Sequence, residues 1–468
     1  MAERSPRQET DPWHLPGLPA GLDLPTVDGA AASGHPFRVP RLDRVGAEAV
    51  AREVRAAAIA ARCQLSTAEV ATAASRAALR LTDPEDPAGA DALAILAAEL
   101  SWPDPLSRET LAGMARAWTR EALISVVDRE LGGPAALDGW TTSGSVALAG
   151  RRRRAAGPPL LFVVHAGNVP GVTVTAALRG LLVRSGVLCR APGSDPGLLA
   201  SFARALAEEH PLLGRCLATT WWPSTHEAPW DVWVKRSGKV VVYGGATAVE
   251  GVRARVPAHV DLVAYGPRLG VAAVLPDAPL EETAAALARD VCAYEQRGCV
   301  SPRLVYAVGR EERELGEALA GALEREVARM PRPEADAATA MAVRSARAEA
   351  EFAALAGKPV HLEASGETAA WTVVVGGDPL RSDPLPRFVR VHAVGDVAEL
   401  EHVLAPLEGR LQSVGYAGTA GLDALADAAA RLGACRIAPV GSLAWPPPDW
   451  LHDGRPQLLP LLGWTEWE

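Results

Sequence analysis

From residue 160 onward, short apolar runs alternate with segments that read as helices, and this alternation limits the possible folds more than any other feature of the chain. Runs at 160–164, 187–190, 239–243, 259–264, 271–275, 304–308, 371–375 and 388–391 are four to six residues long. Four of the eight carry no charge and the others one each, as expected of strands largely buried on both faces. Between them, 172–183, 198–208, 247–255, 280–294 and 422–432 show helical spacing, and two long helices are expected between 311 and 355. Strands that alternate with helices imply βαβ units and mainly parallel sheets. The predicted class is therefore α/β.

The N-terminal third is different. Residues 1–45 are rich in Pro, Gly and Asp and read as an irregular lead-in. Ala and Leu then recur at helical spacing from 46 to about 131. Residues 140–158 look like a hairpin that carries the basic run Arg151–Arg154. The uncharged stretch 155–178 is long enough to suggest a membrane span. Pro158, Pro159, Gly167, Asn168, Pro170 and Gly171 interrupt it, so it reads as strand, turn and helix. The end of the chain, W-P-P-P-D-W-L-H-D-G, holds too many tryptophans to be left in water and reads as an ordered tail. The expected organisation is a helical lead-in and first α/β domain over 1–264, a second α/β domain over 265–440, and the tail over 441–468.

Charge narrows the function classes. The net charge is -9, which disfavours nucleic acid as a partner. Only Lys235, Lys239 and Lys358 are lysines, so few residues could form a Schiff base and phosphate contacts fall to arginine. The six cysteines include no C-x-x-C pair and no zinc-like spacing, so no metal site is expected. They read as free thiols of a cytoplasmic protein, and the N-terminus shows no apolar leader.

Three places could carry chemistry. Cys299 lies in Y-E-Q-R-G-C-V-S-P, on a turn between a helix and a strand, with Arg297 beside it to help hold a thiolate. Cys189, Cys216 and Cys435 lie in or near apolar runs and read as small hydrophobes. The run L-F-V-V-H-A-G-N-V-P-G ends a strand in a turn holding Gly167 and Asn168, where α/β sheets bind ligands. Asn168 either offers an amide N–H to an oxyanion or caps its own turn. Gly244 and Gly245 stand between a strand and a helix, a place where backbone can approach a phosphate. The tryptophans at 221, 222, 230 and 233 could line an apolar channel or fill the core, and core is the commoner role.

In order, these pieces resemble the aldehyde dehydrogenase superfamily, and within it the acyl-CoA reductases of the LuxC type, the fatty acid reductase component of bacterial bioluminescence. D-V-C-A-Y-E-Q-R-G-C-V-S-P-R, H-A-G-N-V-P, L-Q-S-V-G, R-I-A-P-V-G and W-L-H-D-G carry the resemblance. It implies an aldehyde dehydrogenase-like fold with a Rossmann-like cofactor domain and a catalytic domain. It also implies NADPH-dependent reduction of an acyl thioester, such as acyl-CoA, to the aldehyde. Cys299 would be the nucleophile and Asn168 the oxyanion donor. Gly167, Arg190, Ser194, Gly244 and Gly245 would face the cofactor. Arg190 stands where the superfamily usually has lysine. Gly193 stands near the place of a glutamate common in NAD-preferring members, which favours NADPH. The hydrolytic members' glutamate base would fall near Ala264, yet no carboxylate lies between Leu262 and Leu275.

That resemblance also implies a homodimer or higher homo-oligomer, with the 140–158 hairpin as its arm. An acyl carrier protein or acyl-protein synthetase could equally supply the acyl group, and a catalytically silent scaffold subunit is the contrasting reading. His165 could donate a proton but reads more readily as structural. His452-Asp453 fits the family pattern without an assigned role.

Overall fold

The computed structural model describes residues 11–18, 24–142, 151–366 and 369–468. The chain divides into two units. One comprises 1–101, 111–266 and 456–468; the other comprises 102–110 and 267–455.

The first unit is built on a five-stranded parallel sheet. Its order is Leu217–Thr220, Gly186–Arg190, Leu160–Val164, Lys239–Tyr243 and Asp261–Tyr265. The first strand in sequence is therefore central. The chain adds two strands on one side of it, then crosses over and adds two on the other. All five residues of Leu160–Val164 are buried, because helices cover both faces. On one face Phe162 packs against Trp222, Trp230 and Trp233, with ring centroids 5.7–6.3 Å apart. These three tryptophans belong to the core, while Trp221 stands edge-on to Phe37 at 5.2 Å. The N-terminal helix Arg44–Gln64 is tied to this core by Trp233 Nε1, which donates to the Ala47 carbonyl at 3.1 Å.

The lead-in is more regular than its composition implies. Thr26–Ala30 and Pro36–Pro40 form an antiparallel hairpin. Turn-forming residues hide such a hairpin because they also occupy its loop. Of the expected 140–158 hairpin, 143–150 lie outside the described residues. Thr141 and Thr142 pair antiparallel with Arg153 and Arg152, and the strand Arg152–Ala156 pairs in turn with Gly463–Trp467. Its arginines rest on tryptophan: Arg152 lies 3.7 Å from the Trp467 ring centroid and Arg153 5.6 Å from that of Trp464.

The second unit has a seven-stranded sheet. Its order is Val360–Ala364, Thr372–Gly376, Phe388–Val394, Pro302–Val308, Leu269–Val274, Leu411–Ala417 and Ile437–Pro439. Only the edge strand Val360–Ala364 is antiparallel to its neighbour. Leu411–Ala417 was not expected as a strand, since Gln412 and Ser413 interrupt its apolar pattern. Both are fully buried. Residues 441–455 pack with this unit and 456–468 with the first. Among the described residues no helix is long and apolar enough to cross a membrane. The 155–178 stretch is the end of one strand, a second strand and a helix.

Candidate active site

In the first unit, the strand order reverses between Leu160–Val164 and its neighbour Lys239–Tyr243. Ligands of open parallel sheets bind at such a switch point, beyond the carboxyl ends of the strands. The sequence-predicted residues of this unit, Gly167, Asn168, Arg190, Ser194, Gly244 and Gly245, follow or end its strands. His165 donates its backbone N–H to the Arg190 carbonyl at 3.2 Å, and Ser194 Oγ donates to the Gly167 carbonyl at 3.1 Å and to Asp195 Oδ1 at 2.6 Å. A Cβ at Gly167 would run into Ser194 Oγ and lie 2.8 Å from Asp195 Oδ1, so only glycine fits this turn. Asn168, next in the turn, is exposed. The helix Val172–Leu182 follows, entered through Gly171 at φ 86°.

Across the switch point, Gly244 and Gly245 lead into the helix Ala246–Arg253. Residues 245–248 are small and exposed, and a Cβ at Gly245 would meet nothing within 4 Å. Backbone N–H groups at such an end are open to a phosphate.

Arg190 points into the tryptophan cluster. Its Nη2 donates to the Trp222 carbonyl at 2.7 Å, and its guanidinium carbon lies 5.6 and 5.4 Å from the Trp222 and Trp230 ring centroids. Burial, helped by the neighbouring Arg255, lowers its pKa to about 10, so it stays charged at neutral pH. Arg190 Nε, Arg255 Nε and the indole Nε1 of Trp222 and Trp230 are buried without an acceptor. Four donors with no acceptor among them suit an anionic group. Open helix end and switch point together suit a dinucleotide, and Arg255, the second cation of this cluster, pairs with Glu227 at 2.7 Å. His165 has both ring nitrogens buried without partners, and burial lowers its pKa to about 3. The ring is neutral at pH 7, stacked on Tyr243 at 6.2 Å. That favours the structural role over proton donation.

Cys299 belongs to the second unit, on the turn between the helix Leu280–Cys292 and the strand Pro302–Val308. Tyr294, Glu295 and Gln296 just before it all have positive φ, at 36°, 58° and 56°. Such backbone is costly for residues other than glycine, so the surroundings must hold it. Glu295 is buried against Arg387 and against Arg332 Nε at 3.2 Å. The Gln296 amide donates to the Pro302 and Phe388 carbonyls at 2.8 and 3.1 Å, and its oxygen accepts from the Phe388 N–H at 2.8 Å. Tyr294 Oη donates to the Ala444 carbonyl at 2.8 Å. Ser413 Oγ donates to the Val300 carbonyl at 3.0 Å. A Cβ at Gly270 would lie 2.6 Å from the Ser301 carbonyl oxygen, so glycine lets the cysteine turn rest on the neighbouring strand.

The thiol is half-buried, and burial first, then the carboxylate of Asp453, pushes its pKa up to about 12. It is a thiol at neutral pH, whereas the adjacent Arg297, expected to hold a thiolate, is exposed. Cys189 and Cys216 are core thiols with raised pKa values. Cys435 differs from that expectation: it is half-exposed on a turn, and a Cβ at Gly454 would lie 3.6 Å from its sulfur. Sequence reading missed Glu295, Gln296, Arg387 and Ser413, which fix the turn. The charge of Glu295 beside a cysteine motif was the available signal.

Elsewhere, Glu317, His361 and Glu363 bring ligand-type atoms within 4.8 Å of one another. His361 and Glu363 already pair at 2.7 Å, and Glu317 pairs with Arg313 at 2.8 Å.

A model of the acyl-CoA reductase (LuxC) family matches residues 63–464. The chain belongs to that family. It is 28% identical over 290 residues to a long-chain acyl-protein thioester reductase of Aliivibrio fischeri, covering 60% of this chain and 57% of that protein. A reductase of the same description from Vibrio harveyi is 29% identical over 195 residues, 41% of this chain and 40% of that protein. The matches thus span about half the length of these relatives. Among solved structures, aldehyde dehydrogenase 21 from Physcomitrella patens superposes with a TM-score of 0.75 at 12% identity, over 97% of each chain. An NADP-dependent glyceraldehyde-3-phosphate dehydrogenase from Bacillus halodurans gives 0.73 at 15% identity, over 98% of this chain and 99% of that one. The fold is aldehyde dehydrogenase-like.

Proposed function

We propose that this LuxC-family protein reduces a long-chain acyl thioester to the aldehyde with NADPH, through an acyl group carried on Cys299. The description of the relatives as acyl-protein thioester reductases supports the substrate class. The reductive direction rests on one observation: no carboxylate stands between Leu262 and Leu275, where the hydrolytic superfamily members keep their base. Without it water is poorly activated, and the acyl group on sulfur is spared hydrolysis.

Cys299 attacks the acyl carbon and expels the incoming thiol. The Cys299 backbone N–H and the Asn168 side chain would stabilise the tetrahedral oxyanion, a role in which losing one donor costs ~10²–10³ in rate. NADPH, when bound, supplies the hydride. The thiohemiacetal left on Cys299 then collapses to the aldehyde and frees the sulfur. Preference for NADPH over NADH is assigned to Arg190 and Arg255, the buried cations of the donor-rich cluster, with Gly193 leaving no carboxylate to repel a 2′-phosphate. Gly167, Ser194, Gly244 and Gly245 shape the approach of the cofactor. Self-association is proposed through the three-stranded sheet, where Trp140, Trp464 and Trp467 are 41–49% exposed.

The test supplies NADPH or NADH with a long-chain acyl-CoA or an acyl group on a protein thiol, and identifies the product. Aldehyde from either donor supports the reading, and the faster donor names the substrate. Carboxylic acid as product contradicts it, and no turnover with either donor favours the scaffold. Arg190→Ala should raise the KM for NADPH more than that for NADH.

A further inference from the structure

The helix Ala337–Leu355 of the second unit has two apolar faces, and the fold uses one of them. Ala346 and Ala350 pack with Val374 and Phe388 of the sheet, and Val343 is buried on the same face. On the opposite face Met341, Phe352 and Leu355 are 59%, 71% and 83% exposed, with Ser345 exposed and Ala348 half-buried between them. At 3.6 residues per turn these five positions fall within about 80° of arc, so they form one stripe along the helix. The outer face of a surface helix ordinarily carries charged and polar side chains, yet none of these five is charged. An exposed, contiguous apolar stripe of this kind marks an interaction surface.

Charge along its flank says what fits there. Arg344 and Glu351 border the stripe on one side, seven residues apart and both exposed. Neither has an ion-pair partner among the described residues. Their neighbours are engaged within the chain: Arg347 Nη2 donates to the Trp371 carbonyl at 2.7 Å, and Glu349 accepts from Arg381 Nη2 at 2.7 Å. Opposite charges two turns apart on one flank are what two identical helices need to pair antiparallel. A two-fold axis at Ala348 sets positions equally far before and after it level with each other. Met341 of each copy then meets Leu355 of the other, and Phe352 lies over Ser345, a large side chain on a small one. Arg344 of each copy comes beside Glu351 of the other. Ala348 on the axis is small enough to let the helices approach closely. Every contact occurs twice, as an interface between identical surfaces demands.

We propose that a second copy of this chain docks on the Met341–Leu355 stripe, helix against helix and antiparallel about Ala348, with Arg344 of each copy paired to Glu351 of the other. The stripe lies in the second unit, whereas the three-stranded sheet assigned to self-association above lies in the first, so the two surfaces are distinct. The proposal rests neither on that sheet nor on the reaction. A stripe of five residues is small beside the ~800 Å² per partner of a standard interface, so association through it depends on concentration.

The test is sedimentation velocity of the full-length protein over a concentration series up to about 100 μM, with thermal melts to show that each variant is folded. Wild type should show an association step that Arg344→Glu and Glu351→Arg each weaken at least about tenfold, because each brings like charges together at both contacts. Both exchanges in one chain restore opposite charges, and association should return to within about threefold of wild type. The two single variants mixed together should associate more strongly than either does alone, since one partner's flank is then wholly acidic and the other's wholly basic. Phe352→Glu, in the middle of the stripe, is the second probe and should weaken the same step at least about tenfold. Wild type that stays monomeric overturns the proposal and leaves the face to a different partner. Single reversals that change nothing in folded protein, a double variant no stronger than the singles, or association unchanged in Phe352→Glu also overturn it.

Discussion

Glu295 is the residue whose replacement tests most sharply how the cysteine turn is held. It is 4% exposed and sits at φ 58° between two other left-handed residues. Its carboxylate pairs with Arg387, which is fully buried, and with Arg332, whose side chain is 8% exposed. Arg332 keeps a second partner, donating through Nη1 to the Ala369 carbonyl at 2.6 Å, and Arg387 Nη1 donates to the Met330 carbonyl at 2.8 Å. Glu295→Gln keeps the shape and removes the charge, which takes the carboxylate from two buried guanidiniums, Arg387 and Arg332. Breaking a buried pair from one side costs about 3–5 kcal/mol. For a unit of 150–250 residues each kcal/mol lowers the melting temperature by about 2–4 °C, so a fall of about 6–20 °C is expected. Glu295→Gln combined with Arg387→Met removes one arm of this triad and leaves only Arg332 without its carboxylate, so it should recover part of that loss, because an apolar replacement of a buried pair is often neutral. Calorimetry on the four proteins of this cycle gives the coupling directly. A loss under about 1 kcal/mol for Glu295→Gln, or a double variant as unstable as the sum of the singles, would refute the claim that this pair holds the turn.

Other consequences follow from single positions. Gly167→Ala should cost about 1–3 kcal/mol by overpacking against Ser194 and Asp195, and should weaken nicotinamide nucleotide binding measured by calorimetric titration. Glu99 is buried, accepts the Gly197 N–H with both oxygens at 3.1 Å, and has its pKa raised by burial to about 8. The folded state therefore holds a proton that the unfolded state loses near the ordinary value of 4.5. Stability from this group is full below that value and falls as pH rises towards about 8. Melting temperatures of Glu99→Gln against wild type should then diverge with rising pH, the variant gaining; parallel curves would count against it. Truncating the strand Gly463–Trp467 should uncover Arg152 and Arg153 and reduce any self-association seen by sedimentation.

Most of the parallel sheet framework was legible because a strand buried on both faces must be apolar throughout. Leu160–Val164 is such a run, and Lys239–Tyr243 is one after its first residue; the structure places both with the expected ends. Legibility failed where polar residues are buried for a purpose. Gln412 and Ser413 hid the strand next to the sheet edge, and Ser413 holds the Val300 carbonyl beside the cysteine. The hairpin Thr26–Ala30 to Pro36–Pro40 was hidden by residues that suit its loop as well as any irregular coil. Within the candidate site, the Gly167 turn and Cys299 stood out because glycine, asparagine and cysteine punctuate otherwise regular alternation. The direction of Arg190 could not be read, since nothing local shows that tryptophans more than thirty residues away will draw its guanidinium inward.

The central claim is that Cys299 carries the acyl group. Intact-protein mass spectrometry of enzyme mixed with a long-chain acyl thioester, with NADPH withheld and then added, tests it directly. The account predicts a mass gain of one acyl group that maps to Cys299, disappears as aldehyde forms on adding NADPH, and never appears in Cys299→Ala. An acyl group found on another residue, or aldehyde formed by Cys299→Ala, would contradict it.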